Sequence, residues 1–123
     1  SIIEYTHIGS DITDVVDIFK VLADESRILV LNLLRDGELY VCDIEAILGL
    51  TINVSGYLNK LKTARVIISK KESQWVYSRH NDDIFLEFPF LSSVINEEVE
   101  KISICQEDLE LLKKFKESER CYD

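Results

Sequence analysis

Proline and glycine are scarce in this sequence. One proline and four glycines occur among 123 residues. Disordered chains and turn-dense β folds are usually rich in these residues, so their scarcity argues against both classes. Hydrophobic residues make up 46% of the chain, which is enough to fill a core. The sequence therefore predicts one folded domain.

Long apolar runs and paired cysteines are also missing. No apolar run approaches the roughly 20 residues of a membrane-spanning helix, and no segment has the pattern of a signal peptide. We therefore expect a cytoplasmic protein with no membrane partner. Three cysteines, an odd number, do not make a disulfide framework. In a reducing compartment we expect free thiols or ligands for soft metal ions.

The patterns typical of enzymes are absent as well. The sequence has no paired carboxylates, Ser-His-Asp set, P-loop or GxGxxG run, so we expect no enzymatic activity. Only two histidines occur, His7 and His80. We expect both to be surface or capping residues.

Charge is unevenly distributed along the chain. The net charge of −9 opposes binding to nucleic acid when the chain is taken as a whole. Between Leu58 and Arg79, however, six Lys and Arg residues face Glu72 alone, whereas acids predominate from Asp82 to Glu110. This pattern suits a DNA-binding face with a separate partner face. The alternative is charge scattered over a solvated surface.

The stretch from Cys42 to Arg65 predicts two short helices. Asp43 can cap the first, and Gly49 can end it because glycine adopts a left-handed conformation cheaply. The second helix has Val54, Leu58 and Leu61 on one side. Two short helices across a glycine-containing turn predict a helix-turn-helix. An ordinary helical hairpin is the alternative.

The other side of the second helix is polar and can hydrogen-bond to base edges and phosphates. We predict base contacts for Asn53, Ser55, Tyr57 and Asn59, and phosphate contacts for Lys60, Lys62, Lys70 and Lys71.

A β-hairpin is predicted directly after these helices. Val66–Ser69 and Trp75–His80 have strand patterns, and Lys70–Gln74 forms a polar tip between them. A hairpin in this place is a wing, whose lysines can reach the DNA backbone. We expect Trp75 to anchor the core rather than to stack on bases.

Helices are predicted on both sides of this central region. The first runs from Ser10 or Asp11 to about Val21, and a second, capped by Asp24, runs from Glu25 to Arg35. The first is predicted to have a main apolar stripe that two further residues widen. The stripe is Ile12, Val15, Phe19 and Leu22, and Val16 and Ile18 widen it.

A third helical region is predicted to open at Asn81 or Asp82, with Pro89 interrupting it. Apolar stripes on Leu91–Ile102 and on Leu109, Leu112 and Phe115 have no second layer in the chain to cover them. With the first helix, they are the expected dimer surface.

Several motifs in the right order resemble the ArsR/SmtB family of winged-helix transcriptional regulators. They are Leu22–Arg27 (LADESR), Glu38–Ile44 (ELYVCDI), Leu48–Thr51 (LGLT) with Val54, Ser55 and Leu58, and Glu72–Tyr77 (ESQWVY). The resemblance implies a mostly α fold with a small β-hairpin wing, in which residues 1–123 form one winged helix-turn-helix domain. Residues 10–80 would be its core, and helices at both ends would form a homodimer.

The resemblance also implies a function. Members of this family are homodimeric repressors that bind palindromic operator DNA and leave it when a metal ion, a metalloid ion or another signal is sensed. Two departures stand out. The segment around Thr51–Ile52 is one residue shorter than the family pattern, and Gly56-Tyr57 replaces the usual Arg or His pair.

The cysteines only partly match the family pattern for arsenite, Cys-x-Cys-x-x-Cys. Cys42 matches the middle position, whereas Tyr40 and Glu45 occupy the flanking ones. Cys105 and Cys121 are candidates to complete a site for arsenite or another thiophilic ion, because thiolates suit soft ions. Cys42 as a small buried apolar residue is the alternative. No cofactor is required by this reading, and no zinc site of the Asp/His type is expected.

The expected function is therefore a DNA-binding repressor released by a thiophilic metal or metalloid ion such as arsenite. Two alternatives remain. One is a family member without metal sensing, in which the thiols serve redox chemistry or nothing. The other is a protein-interaction module whose DNA face has decayed.

Overall fold

The computed structural model describes residues 12–49 and 53–118, which form seven α-helices and a three-stranded antiparallel sheet. The helices are α1 (Ile12–Leu22), α2 (Glu25–Leu33), α3 (Val41–Leu48), α4 (Val54–Thr63), α5 (Asp82–Glu87), α6 (Phe90–Ser92) and α7 (Ser103–Ser118). The strands are β1 (Leu39–Tyr40), β2 (Ile67–Glu72) and β3 (Trp75–His80). A mostly helical chain with a hairpin wing was the expected fold class, and it is confirmed.

Helix α1 turns a different face to the core from the one expected. Ile18 and Val21 are buried, whereas Ile12, Val16 and Phe19 are exposed. Of the predicted main stripe, Val15 and Leu22 pack against the core as expected, whereas the prediction is wrong for Ile12 and Phe19. The three exposed residues lie at i, i+4 and i+7, so they share one side of the helix. The cap predicted at Ser10 or Asp11 lies outside the described residues.

Helix α2 lies at the centre of the core. Asp24 caps it as predicted, because the backbone N–H of Arg27 donates to Asp24 Oδ1 over 3.1 Å. The helix ends at Leu33 rather than Arg35, and a 3₁₀ turn over Leu34–Asp36 follows. Gly37 then has a φ of 134°, in the region that favours glycine. Val30 and Leu31 are completely buried.

Helix α3 begins earlier than the sequence predicted. It starts at Val41, so Asp43 is its third residue rather than its cap. Asp43 still satisfies the open end of the helix, since the backbone N–H of Tyr40 donates to Asp43 Oδ2 over 3.1 Å. Gly49 ends α3 with a φ of 100°, as predicted.

The wing is longer than predicted. Strand β2 continues to Glu72, so Lys70 and Lys71 lie in a strand and the tip is Ser73-Gln74. Strand β3 lies in the middle of the sheet, between β1 and β2. Trp75 is half-buried and meets the edge of Tyr40 at a ring distance of 6.0 Å. It is outside the buried cluster, so the expected core anchor is wrong.

The C-terminal helices are covered by their own chain. After α6 the chain continues through a π-helical turn (Ser93–Glu98) and a 3₁₀ turn (Val99–Lys101) into α7. These elements and α7 contact α2. Ile95 and Leu112, which belong to these contacting elements, are buried. Leu91 in α6 is also buried. The expectation that these stripes lacked a covering layer is wrong for Ile95 and Leu112, because their elements contact α2. Ile102 remains exposed.

His80 is not a surface residue. Its Nε2 lies 2.9 Å from the carbonyl oxygen of Leu31, and its ring stacks on Phe85 at 4.6 Å. Burial lowers the pKa of His80, so the neutral ring is favoured. His80 is half-buried, so the expectation of a surface histidine is wrong. The expectation of a capping role is supported, because Leu31 belongs to the last turn of α2. His80 instead ties the end of the wing to α2 and α5.

Arg65 joins α4 to the wing in a left-handed conformation, with a φ of 64°. Its carbonyl oxygen accepts a hydrogen bond from Asn81 Nδ2 over 2.9 Å. Its guanidinium lies 3.5 Å from the carboxylate of Asp14 in α1. The residue therefore connects three elements at one point.

Candidate nucleic-acid interface

Helix α4 carries a polar ridge on its outer side, which we call the α4 ridge. Its members are the exposed residues Ser55, Asn59, Lys60, Lys62 and Thr63. On the inner side Val54, Leu58 and Leu61 are buried, as their spacing predicted. This burial fixes the rotation of α4 and keeps the ridge in solvent. The predicted contact residues Ser55, Asn59, Lys60 and Lys62 thus lie on one surface.

Asn53 caps α4. Its side-chain Oδ1 accepts a hydrogen bond from the backbone N–H of Gly56 over 3.0 Å. The residue is exposed, so its side-chain amide group remains accessible. A Cβ added to Gly56 would lie 2.5 Å from Nδ2 of Asn53. The glycine therefore leaves room for the cap, a reason for Gly56 that the sequence did not reveal.

Tyr57 lies apart from the other predicted base-contact residues. It is half-buried and packs against the hydrophobic core. Much of its ring is therefore used for packing. Only the exposed part of the Tyr57 side chain is available for contact with DNA.

A groove of about 200 Å³ separates the α4 ridge from the wing. Ser55, Asn59 and Lys62 line it on the α4 side. Ser69 and Ser78 line the wing side, where their hydroxyl oxygens are 2.8 Å apart. Ser69 and Ser78 face each other in the observed register of the hairpin, which the sequence alone did not predict.

The two wing lysines point to opposite faces of the sheet. Lys71 pairs with Val76, which lines the groove, whereas Lys70 pairs with Tyr77. Because neighbouring residues of a strand alternate between faces, Lys71 lies on the side of α4. Both lysines are exposed. The structure therefore brings Lys71 and the α4 ridge to one side, with Lys70 on the other.

The cysteines differ from one another in state. Cys42 lies in α3 and is half-buried, and it takes part in a disulfide bond. Cys105 in α7 is a free, buried thiol. Burial, and secondly the charge of Asp108, raise the pKa of Cys105, which favours the thiol over the thiolate that binds metals. Cys121 lies outside the described residues, as does His7.

Within residues 12–49 and 53–118, no group of three or more His, Cys, Asp or Glu side chains is arranged to hold a metal ion. The described residues alone therefore do not provide a three-thiolate site. Among the same residues, no helix has the length and apolar character needed to cross a membrane.

Comparison with known proteins gives a consistent family. Residues 24–69 match the family described as "Bacterial regulatory protein, arsR family". The chain is 35% identical over 69 residues to the arsenic resistance transcriptional regulator ArsR1 of Pseudomonas putida, covering 54% of each chain. It is 38% identical over 69 residues to the cadmium resistance transcriptional regulatory protein CadC of Listeria innocua, covering 54% of this chain and 58% of that protein.

A solved structure extends the similarity to the fold. It is the homodimeric winged helix-turn-helix DNA-binding domain (fragment 1–100) of a possible ArsR-family regulator from Mycobacterium bovis. The TM-score is 0.57 at 26% identity, over 77% of this chain and 95% of that one. The aligned regions span little more than half the length of the two curated relatives. The fold, the family match over residues 24–69 and the motifs agree: the chain is similar to the ArsR-family winged helix-turn-helix transcriptional regulators.

Proposed function

We propose that this protein is a transcriptional repressor that binds double-stranded operator DNA as a homodimer. The observation that carries the proposal is the α4 ridge, which presents Ser55, Asn59 and Lys62 beside a wing bearing Lys71. A helix of this kind fits the DNA major groove, where amide and hydroxyl groups read bases and lysines bind phosphates. The names of the relatives, regulators of arsenic and cadmium resistance, support the same role.

Lys62→Ala tests the DNA-binding face. We expect the variant to bind all DNA sequences more weakly and to reduce the salt dependence of binding by about one unit, because one phosphate contact is lost. Band-shift or fluorescence titrations on the protein's own promoter, at several salt concentrations, measure both quantities. Lys114→Ala, an exposed lysine of α7, is the matched control. Equal behaviour of the two variants would rule out this face.

The same titration separates the repressor from the interaction-module alternative. A decayed DNA face would leave the wild-type protein with no affinity for any genomic fragment. Two observations favour this alternative: the overall charge of −9 and the Gly56-Tyr57 pair.

We propose that the exposed side of α1 forms part of the dimer interface. Ile12, Val16 and Phe19 are exposed on one side of α1, and the ring of Phe19 stacks on Phe90 at 5.1 Å. An apolar surface of this kind is typical of an interface. A dimer would place two recognition helices about 34 Å apart, one turn of DNA. Sedimentation should detect a dimer at micromolar concentration, and a monomer there would contradict the proposal.

We further propose that a thiophilic ion such as arsenite releases the protein from DNA, with reduced Cys42 as one ligand. Cys42 lies in the first helix of the helix-turn-helix, where a bound ion can change the position of α4. Such an ion releases DNA only if it binds the free conformation more tightly. Coupling of this type is typically about 1–3 kcal/mol, or roughly 5- to 150-fold in affinity. Cys105 and Cys121 are the other candidate ligands.

Arsenite titration of the wild type and of Cys42→Ser on one operator tests this role. We expect the variant to bind DNA normally and to lose its response to arsenite. A response that survives in Cys42→Ser would remove Cys42 from the sensing site and leave it as a packing residue.

Redox sensing is the second candidate, and the disulfide bond at Cys42 favours it. In that case DNA affinity should change between reduced and oxidised protein with no metal present. Thiol titration beside a metal-binding assay distinguishes the two. A family member that senses neither would respond in neither assay.

A further inference from the structure

A second cleft lies on the side of α4 that faces away from the wing. Its volume is about 560 Å³, and it is formed by α1, α2 and the C-terminal half of α4. Three cationic side chains line it, from three different helices: Lys20, Arg27 and Lys60. Asp17 is the one carboxylate in the lining. The cleft therefore has an excess of positive charge, although the whole chain has a net charge of −9.

The positive charge in this cleft is available to a ligand. Lys20 and Lys60 are exposed, and neither forms an ion pair within the part of the chain that the structure describes. Surface lysines with no carboxylate partner can pair with an external anion at little cost in lost interactions. No contact inside the described fold accounts for placing these two lysines on the same cleft.

Arg27 is held more firmly than the lysines. Its Nε donates a hydrogen bond to the carbonyl oxygen of Val21 over 2.6 Å, and its side chain is only 12% exposed. It also lies 3.8 Å from Asp24. The guanidinium thus covers the C-terminal carbonyl groups of α1, which would otherwise present partial negative charge to the cleft.

The cleft and the wing groove flank the same ridge. Asn59 lines both, so the exposed side of α4 separates two depressions. Each depression has lysines beside it, Lys71 on the wing side and Lys20 on the α1 side. A helix inserted in the major groove of DNA lies between two sugar-phosphate backbones, one on each wall. The arrangement of charge around α4 matches this geometry.

We infer that the α1–α2–α4 cleft binds backbone phosphates of the DNA strand opposite the one contacted by the wing. Lys20 and Lys60 supply the mobile charges, and Arg27 supplies the fixed one. The inference rests on the proposed DNA-binding function and assigns a role in it to α1, beyond the helix-turn-helix and the wing.

Lys20→Gln tests the inference, in salt-dependent titrations with DNA fragments selected by the wild-type protein. Loss of one phosphate contact should reduce the salt slope by about 0.9 and lower the affinity about fivefold at 0.15 M salt. Asp17→Asn should act in the opposite direction and raise the affinity, because it removes repulsion of the phosphate. Lys114→Gln, with the same charge change on α7, gives the effect of net charge alone.

Ethylation of single phosphates identifies the strand. The positions at which ethylation blocks wild-type binding should become tolerant on one strand in Lys20→Gln and on the other strand in Lys71→Gln. Tolerance appearing on the same strand in both variants would overturn the inference.

Two other outcomes would also overturn it. In the first, Lys20→Gln has the same DNA affinity and salt slope as Lys114→Gln, while Lys62→Ala still reduces the salt slope. The DNA-binding proposal would then hold, but without a role for the cleft. The other is a Lys20-dependent affinity for inorganic phosphate, measured at constant ionic strength, with unchanged DNA affinity in Lys20→Gln. That result would assign the cleft to a free anion. If the wild-type protein has no affinity for DNA, the proposed function itself is refuted.

Discussion

Helices α4 and α7 are both amphipathic, but they place their polar side chains differently. On α4, Asn59 and Lys62 lie in solvent. On α7, Asp108 is only 5% exposed, and its Oδ2 has no hydrogen-bond partner among the described residues. Two further buried atoms without such partners belong to α2 and the turn after it, Oδ1 of Asn32 and Nε of Arg35.

Exposed polar side chains and buried ones affect different properties of the protein. Polar groups on the surface of α4 can bind a ligand without weakening the fold. Buried groups without hydrogen bonds carry a desolvation cost. Burial, and to a lesser extent the charge of Glu107, raise the pKa of Asp108. We therefore expect substitutions in the two helices to affect different measurements.

The largest effect should come from the buried residues of the C-terminal helical region. Leu91 is completely buried, and Leu91→Ala should lower the free energy of unfolding by about 2–5 kcal/mol because it leaves a cavity. Leu86, five residues earlier and 79% exposed, is the matched control. Leu86→Ala and Lys62→Ala should each change stability by less than about 0.5 kcal/mol. Urea unfolding measures all three, and similar losses for Leu91→Ala and Lys62→Ala would break the comparison.

A smaller effect, of opposite sign, is expected at Asp108. Asp108→Asn keeps the shape and removes the buried charge, so it should stabilise the protein near pH 7. The gain should be smaller than the roughly 1–3 kcal/mol cost of an unsatisfied buried group, because the amide at the same position has no partner either. The raised pKa makes the native protein bind more protons than the unfolded chain above pH 3.8, the ordinary value. Wild-type stability should therefore fall as pH rises through the native pKa. The advantage of Asp108→Asn should grow over the same range.

Unfolding curves at several pH values between 4 and 8, relative to wild type, follow this advantage. Glu110→Gln, an exposed change on the same helix, is the control. A constant difference between Asp108→Asn and wild type across that range would contradict the expected pH dependence.

The smallest effect should be at the start of α4, where local interactions rather than burial determine stability. Gly56→Ala gains about 1 kcal/mol of helix propensity. It also places a Cβ 2.5 Å from Asn53 Nδ2, which displaces a cap that contributes about 1 kcal/mol. The net change should be near zero. Asn53→Ala should lower the free energy of unfolding by about 1 kcal/mol in the wild type. In the Gly56→Ala variant, where the cap is already displaced, the same substitution should have almost no effect. If the effects of the two substitutions add in the double variant, the Asn53 cap survives in Gly56→Ala and this prediction is contradicted.

The sequence predicted the elements whose patterns are local. Alternation in Trp75–His80 and the spacing of Val54, Leu58 and Leu61 were sufficient for the wing and for α4. Asp24 and Gly49 were sufficient for helix ends, because capping depends on neighbouring residues only. Those features also determine the ridge on which four of the eight predicted contact residues lie.

The sequence did not predict which of two apolar faces meets the core. In α1 the wide apolar stripe allowed either Phe19 or Ile18 to point inwards, and only the position of α2 decides for Ile18. The covering of Ile95 and Leu112 was missed for the same reason, since α2, which contacts their elements, is distant in sequence. The burial of His80 depends on the carbonyl of Leu31, 49 positions away. The metal ligands and the inducer remain predictions, because they require side chains to meet across the fold.

Arg65 lies where three elements meet. It follows α4, leads into the wing and, through Asp14, contacts α1. The left-handed backbone of Arg65 sets the direction in which the wing leaves α4. Through the ion pair with Asp14, α1 contacts that same junction.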